Sequence, residues 1–541
     1  MSELGVDERL LRIGSLALLG VVLVLTGIVL RRFGEETRLG AELRERFVFG
    51  IPWGTVVVIA AVYALYYLVQ GGGQDGGPIV TGFRSWSLWY PQGTLLSAFT
   101  HGNRPHLIGN LFGAVAFAPI AEYAWRHYPD SDDSPAGWRG DPHARIGVFV
   151  GAVVLVGVLG SVVVPGAVIG FSGVVFALAG FALVTFPIAT ALAMLGVRVV
   201  RLVYSAVTDP VVIAQSREQF VRPSWVDIAV QGHLYGLLAG VLLAAALCHY
   251  REETPNAYHV LFAALVFSIT RSLQSIYWYL GGERFVLFQA LGTAGVFMLA
   301  VVITLAALRS DRMLVQALDL RTGTAAIGVL LAIVCALALI GIPYNLVPVE
   351  GGEELEDGVE VRDYTVAYAE DVEDQYISAL DLPIYQGPSV NVSGVIVSSD
   401  RRNAWEVSVS KQLLESRGSA TLALGDATWR ETVLIQRTTW SVVGSNSTYK
   451  VFARHDGEWR TLFAADPARA DPIIGGRNVT IQPASEFYDV VVTREGEELG
   501  RVQIPPEGGR TSAGGIEFVR NGRALVAVYG ETRLRIAAFE F

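Results

Sequence analysis

Lysine is almost absent from this chain. Two occur in 541 residues, Lys411 and Lys450, so nearly every basic side chain is an arginine. Cysteine is as scarce. Cys248 and Cys335 both fall within or at the end of apolar runs, which excludes a disulfide framework and reads as a pair of buried structural thiols. No His-Glu-x-x-His occurs, so zinc-dependent proteolysis of that type is excluded, and no other metal or cofactor spacing is present. Basic excess is lacking too: the formal net charge is −10, which argues against a nucleic-acid partner. An acidic, lysine-poor composition resembles that of proteins from high-salt environments. There is no repeat of fixed period, and the one low-complexity tract is QGGGQDGGP at 70–78. No small-residue cleavage site follows the first apolar run, so that run does not read as a removable signal peptide.

What the chain has in abundance is apolar length. Of its residues 52% are hydrophobic, and a run of ~20 apolar residues crosses a bilayer. Ten runs approach that length: 10–30, 48–69, 105–125, 146–165, 168–186, 188–213, 225–247, 257–280, 284–307 and 323–345. They predict an all-α polytopic membrane bundle. After about residue 347 the chain turns polar and acidic, with alternations such as YDVVVT and ALVAVYG, and these predict a soluble, mainly β domain. Arginine in short loops sets orientation. Alternating the ten spans puts twelve arginines on the side of the 31–46 loop and seven on the other. The N-terminus and the C-terminal domain are then expected outside the cytoplasm, where sequons at Asn391, Asn446 and Asn478 also fall. Arg198 and Arg201 sit where a span is wanted, so the turn between the fifth and sixth spans is expected later than residue 187. Arg271 is a charge within the eighth span, expected to pair with a carboxylate or to snorkel. His455, the single histidine beyond residue 347, reads as a solvated surface group.

Within the apolar part, Ser172 stands between glycines in IGFSGVVFALAG. The bland reading is close helix packing, since Gly173 and Ala177 have small-xxx-small spacing. A nucleophilic reading needs a base, because a neutral serine must pass on its proton as it attacks. Three of the eight histidines lie in or beside a span on the side where the Ser172 helix begins: His101, His106 and His233. His233 precedes Gly236 and Gly240, a second small-residue face that can pack on the first. A histidine in lipid is costly and usually functional. His106 and Asn110 are i and i+4, so they share a helix face, and both carry hydrogen-bond donors of the kind an oxyanion requires.

His-x4-His-x3-Asn on one span, Gly-x-Ser-Gly opening a later one, and His-x2-Gly-x3-Gly two spans on resemble the rhomboid family of intramembrane serine proteases. The likeness covers about residues 48–247 and implies a six-span catalytic core, with about four extra spans beside it. By the resemblance, Ser172 is the nucleophile and His233 the general base, a dyad without aspartate. His106, Asn110 and the Ser172 backbone N–H would form the oxyanion hole, with His101, Gly170 and Phe176 in supporting positions and Gly173, Gly236 and Gly240 packing helices. Two positions depart from the pattern. Trp89 is followed by Tyr90 where many members carry Trp-Arg, and Phe176 stands where some place a tyrosine on the catalytic histidine. The domains expected are 1–47, an N-terminal span and cytoplasmic loop; 48–247, the core; 248–346, additional spans; and 347–541, the extracytoplasmic β-rich domain. The implied partners are the lipid bilayer and membrane proteins with a helix-weak transmembrane segment. A non-cleaving rhomboid-like client binder is the rival reading. A transporter would need matching half-helix breaks in two halves, and no such symmetry is present.

Overall fold

The computed structural model of the protein describes residues 8–33, 39–128, 137, 140–211, 230–279, 285–308, 313–315, 320–347, 358–375, 391–485 and 487–540. The chain divides into two compact units: residues 1–72 with 83–346, and residues 73–82 with 347–541.

The first unit is helical. Its helices are α1 (Glu8–Phe33), α2 (Leu39–Arg46), α3 (Trp53–Ala64), α4 (Pro91–Leu96), α5 (Arg104–Trp125), α6 (Pro142–Val163), α7 (Ser172–Thr185), α8 (Pro187–Thr208), α9 (Val230–Tyr250), α10 (Ala257–Thr270), α11 (Gln289–Ala307) and α12 (Thr322–Tyr344). A π-helical turn, Leu65–Val69, continues α3. Six helices, α5, α6, α8, α9, α11 and α12, are long and apolar enough to cross a membrane, and the apolar stretches in α1, α3, α7 and α10 are shorter. The protein is a multi-pass membrane protein built as a helical bundle.

Local chemistry sets the helix starts. The Asn103 side chain accepts from the His106 N–H at 2.8 Å and opens α5, with Pro105 in its first turn. Asp141 caps α6 in the same way through the His143 N–H. At α3 the acceptor comes from another helix. The buried Glu122 carboxylate of α5 accepts from the Gly54 N–H at 2.7 Å, the Thr55 N–H at 2.8 Å and the Thr55 hydroxyl at 2.7 Å. Its fourth donor is His127 Nε2 at 2.7 Å, and His127 Nδ1 accepts from the Val48 N–H. Since Nδ1 is an acceptor, the proton sits on Nε2, and the ring is a neutral donor to Glu122.

Three expectations change here. The turn between α7 and α8 lies at Phe186, so Arg198 and Arg201 are inside a helix. The run 257–280 is not one helix. It stops at Thr270 in a Schellman cap, with Ser272 N bonded to Ile269 O, Leu273 N to Ser268 O, and Ser272 at φ +57°. The polar stretch after Thr270 favours that stop, and a short antiparallel pair, Tyr277–Tyr279 with Phe285–Leu287, follows. Of the two cysteines, Cys248 is buried but Cys335 is exposed on α12, a position that faces off the bundle.

The second unit is mainly β. One antiparallel sheet runs Val359–Val361, Tyr364–Glu373, Asn391–Ser399, Ala404–Ser410, and another runs Ala468–Arg469, Asn478–Pro483, Tyr488–Arg494, Glu497–Gln503. An eight-stranded sheet joins their cores through the 13-residue strand Arg430–Val442. Val433 and Ile435 of that strand belong to one apolar core, Trp440 and Val442 to the other. His455 is not a solvated group: its Nε2 lies 2.9 Å from Glu431 Oε2. Residues 73–82 belong to this unit. Arg430 donates to Asp75 O at 2.7 Å and Gly77 O at 2.6 Å, Ile79 is buried, and a Cβ on Gly82 would overlap Gly425 O.

Candidate active site

Two helix faces without side-chain bulk meet at α7 and α9. A Cβ on Gly236 would overlap Gly173 O, one on Gly240 would overlap Ala177 O, and one on Gly180 would overlap Leu237 O. Backbones this close are possible only with glycine at those positions. The contact brings the first turns of the two helices, with Ser172 and His233, to one end of the bundle.

Ser172 is the first residue of α7. Gly170, two residues earlier, has φ +123°, a conformation that L side chains rarely adopt, and its N–H donates to Ser97 O at 2.8 Å. A Cβ there would lie 2.5 Å from His106 Cε1. Gly170 therefore serves both the turn into the Ser172 helix and the approach of His106. The His233 ring stacks on Phe176, with centroids 4.1 Å apart and planes 9° apart, and Phe176 meets Phe267 of α10 edge-on. His101 and His106 are T-shaped with centroids 5.1 Å apart.

A cavity of about 350 Å³ opens at this place, and Ser172, His233, His106, Gly170 and Gly173 line it, with Arg84, Ser161 and Tyr235. Asn110, His101 and Phe176 lie outside that lining. Asn110 is buried on α5 one turn beyond His106, and His101 is fully buried beneath it. No hydrogen bond joins Ser172 to His233. His233 Nδ1, Asn110 Nδ2 and both ring nitrogens of His101 are buried without a hydrogen-bond partner. A buried polar atom left so costs ~1–3 kcal/mol, and of these four His233 Nδ1 belongs to a residue that lines the cavity. The α7 N-terminus brings its unpaired backbone N–H groups and the positive end of the helix dipole to the same point.

Three residues of this region escape the motif reading. Gln70 clamps the His101 backbone: its Oε1 accepts from the His101 N–H at 2.8 Å and its Nε2 donates to the His101 carbonyl at 3.0 Å. Asn345, at the end of α12, donates from Nδ2 to Val162 O and Val164 O and accepts from the Gly166 N–H, fixing the segment that leads to Gly170. Arg84 reaches the cavity while donating to Ala167 O at 3.0 Å. The signal was slight: a single polar residue at the end of an apolar run is common. Glu122 carried a stronger one, a carboxylate inside a span.

Residues 86–250 match the family model of the Rhomboid domain. The chain thus carries a rhomboid domain, with the α5–α9 helices and both Ser172 and His233 inside the matched stretch. Comparison with curated proteins and with solved structures found no match.

Proposed function

We propose that the rhomboid domain is an active intramembrane serine endopeptidase. The observation that carries the reading is that Ser172 and His233, from two helices locked together by glycine faces, line one polar cavity beside His106. Ser172 Oγ attacks the carbonyl carbon of a peptide bond and its proton passes to His233. The tetrahedral oxyanion is held by the Ser172 N–H and by donors from His106 and Asn110. His233 then protonates the leaving amine as the C–N bond breaks. Water hydrolyses the acyl-serine, giving its proton to His233, and Ser172 is restored. Stacking on Phe176 limits the rotation of the His233 ring, and the proton is taken by a nitrogen at the ring edge, where the lone pair lies in the ring plane. The absent Ser172–His233 hydrogen bond is no objection, because catalytic hydrogen bonds often tighten only with substrate bound.

The substrate is a membrane segment that can unwind, since a helix keeps its carbonyls hydrogen-bonded and shielded. The C-terminal domain lies on the extracytoplasmic side of the cell membrane, supported by the arginine asymmetry and by the exposed Asn391 and Asn446 sequons. A fluorophosphonate probe on purified protein tests the chemistry: it labels wild type and fails on Ser172→Ala. No labelling of folded wild type, with membrane clients still bound, would establish the non-cleaving alternative. Protease shaving of intact cells tests the sidedness, and loss of epitopes beyond residue 358 is expected.

A further inference from the structure

We propose that Arg198, Arg201 and Arg271 form a binding site for the phosphate of an anionic membrane lipid, on the flank of the bundle beside the catalytic helices. Arg198 and Arg201 are one turn apart on α8, a helix long and apolar enough to cross the membrane, and both are exposed on the bundle surface. Arg201 reaches back to α5: its guanidinium nitrogen lies 3.1 Å from where a Cβ on Gly109 would be, and its carbon lies 6.0 Å from the Phe112 ring centroid. This sets Arg201 at the depth of Asn110, the next residue on α5. Arg271 follows α10, which packs on α8, and its guanidinium lies 5.9 Å from the Phe117 ring centroid on α5.

Three like charges in an apolar setting repel one another and are costly to desolvate unless an anion joins them. Among the described residues no carboxylate forms a salt bridge with any of the three, and no hydrogen bond ends on their guanidinium groups. The bilayer supplies the missing partner at all times. A phosphodiester offers two anionic oxygens, and the guanidinium fork matches them in bidentate fashion. The acyl chains of such a lipid would lie along the exposed apolar face of α8, where Leu195, Val199 and Leu202 are exposed. An acidic side chain of a passing substrate could use the same charges only transiently, whereas the lipid is a standing occupant.

The test uses the full-length protein, delipidated in a neutral detergent, with bound lipid counted by native mass spectrometry. Phosphatidylglycerol is expected to be retained in preference to phosphatidylcholine. Each arginine removed should weaken retention about fivefold, so Arg198→Gln with Arg201→Gln should lower it about 25-fold, while the Lys pair at the same positions should keep most of the preference. Equal retention of the two lipids by wild type overturns the proposal, as does an unchanged preference in a folded Gln pair. Inorganic phosphate displacing the lipid at equal concentration would mean a free-phosphate site and also overturns it. If the Gln pair does not fold, the wild-type lipid comparison and the phosphate competition still decide.

Discussion

Replacing Glu122 should unfasten the bundle without touching its chemistry. The carboxylate is fully buried and accepts four hydrogen bonds: two from the backbone at the start of α3, one from the Thr55 hydroxyl and one from His127. Glu122→Leu leaves all four donors buried, two of them backbone N–H groups that nothing nearby can take over. Removing one side of such a buried network costs ~3–5 kcal/mol. Glu122→Gln keeps one carbonyl oxygen but points an amide NH2 at a donor, so it should recover only part of the loss. Glu122 and His106 are 16 positions apart on α5, or ~24 Å along a helix axis at 1.5 Å per residue. The protein that remains folded should therefore react with a fluorophosphonate at the wild-type rate. Equilibrium unfolding in mixed detergent micelles measures the first quantity and labelling kinetics the second. A loss below about 1 kcal/mol for Glu122→Leu would refute the claim that this carboxylate caps α3. Unchanged stability with slowed labelling would instead move Glu122 into the catalytic machinery.

Asn110→Ala and His106→Ala should each lower kcat ~10²–10³-fold with KM little changed, because an oxyanion donor acts on the transition state; normal kcat with a lowered Tm would reduce the pair to a structural role. Gly236→Ala puts a methyl group into the Gly173 carbonyl, and overpacking of this kind costs ~1–3 kcal/mol. It should also slow fluorophosphonate labelling by moving α9, and a variant matching wild type in both readouts would show that the two helices can separate freely. In the second unit, burial alone would raise the Asp426 carboxyl, but hydrogen bonds from Thr428 and the buried Arg402 outweigh it and hold it at about 2. The folded pKa is depressed, so the stabilisation is present above the unfolded value near 4 and fades as pH falls from about 4 to about 2, by up to ~2 kcal/mol. Acid titration of near-ultraviolet circular dichroism, wild type against Asp426→Asn, checks this; equal acid midpoints would contradict it.

The ten apolar runs were legible because the free energy of placing a residue in lipid is a local property, summed along the chain. The helices α1, α3 and α5 to α12 follow those runs in order, and the loss of apolar character after residue 347 marks the change to strands. Ser172, His233, His106 and Asn110 could be picked out for a similar reason: polar groups among apolar neighbours stand out without any knowledge of the fold. Partner choice is different, because it depends on which distant backbone comes within ångströms. Only the tertiary structure joined Glu122 to the start of α3, 67 positions earlier in sequence. It alone put Gly173 against Gly236, Asn345 against the segment before Gly170, and Arg201 beside Gly109. It also gave residues 73–82 to the β unit, where Arg430 holds the backbone of a tract that composition marks only as low in complexity. A run of small residues says that something will pack closely there; the identity of the neighbour is decided by how all the helices and sheets bury their surfaces together.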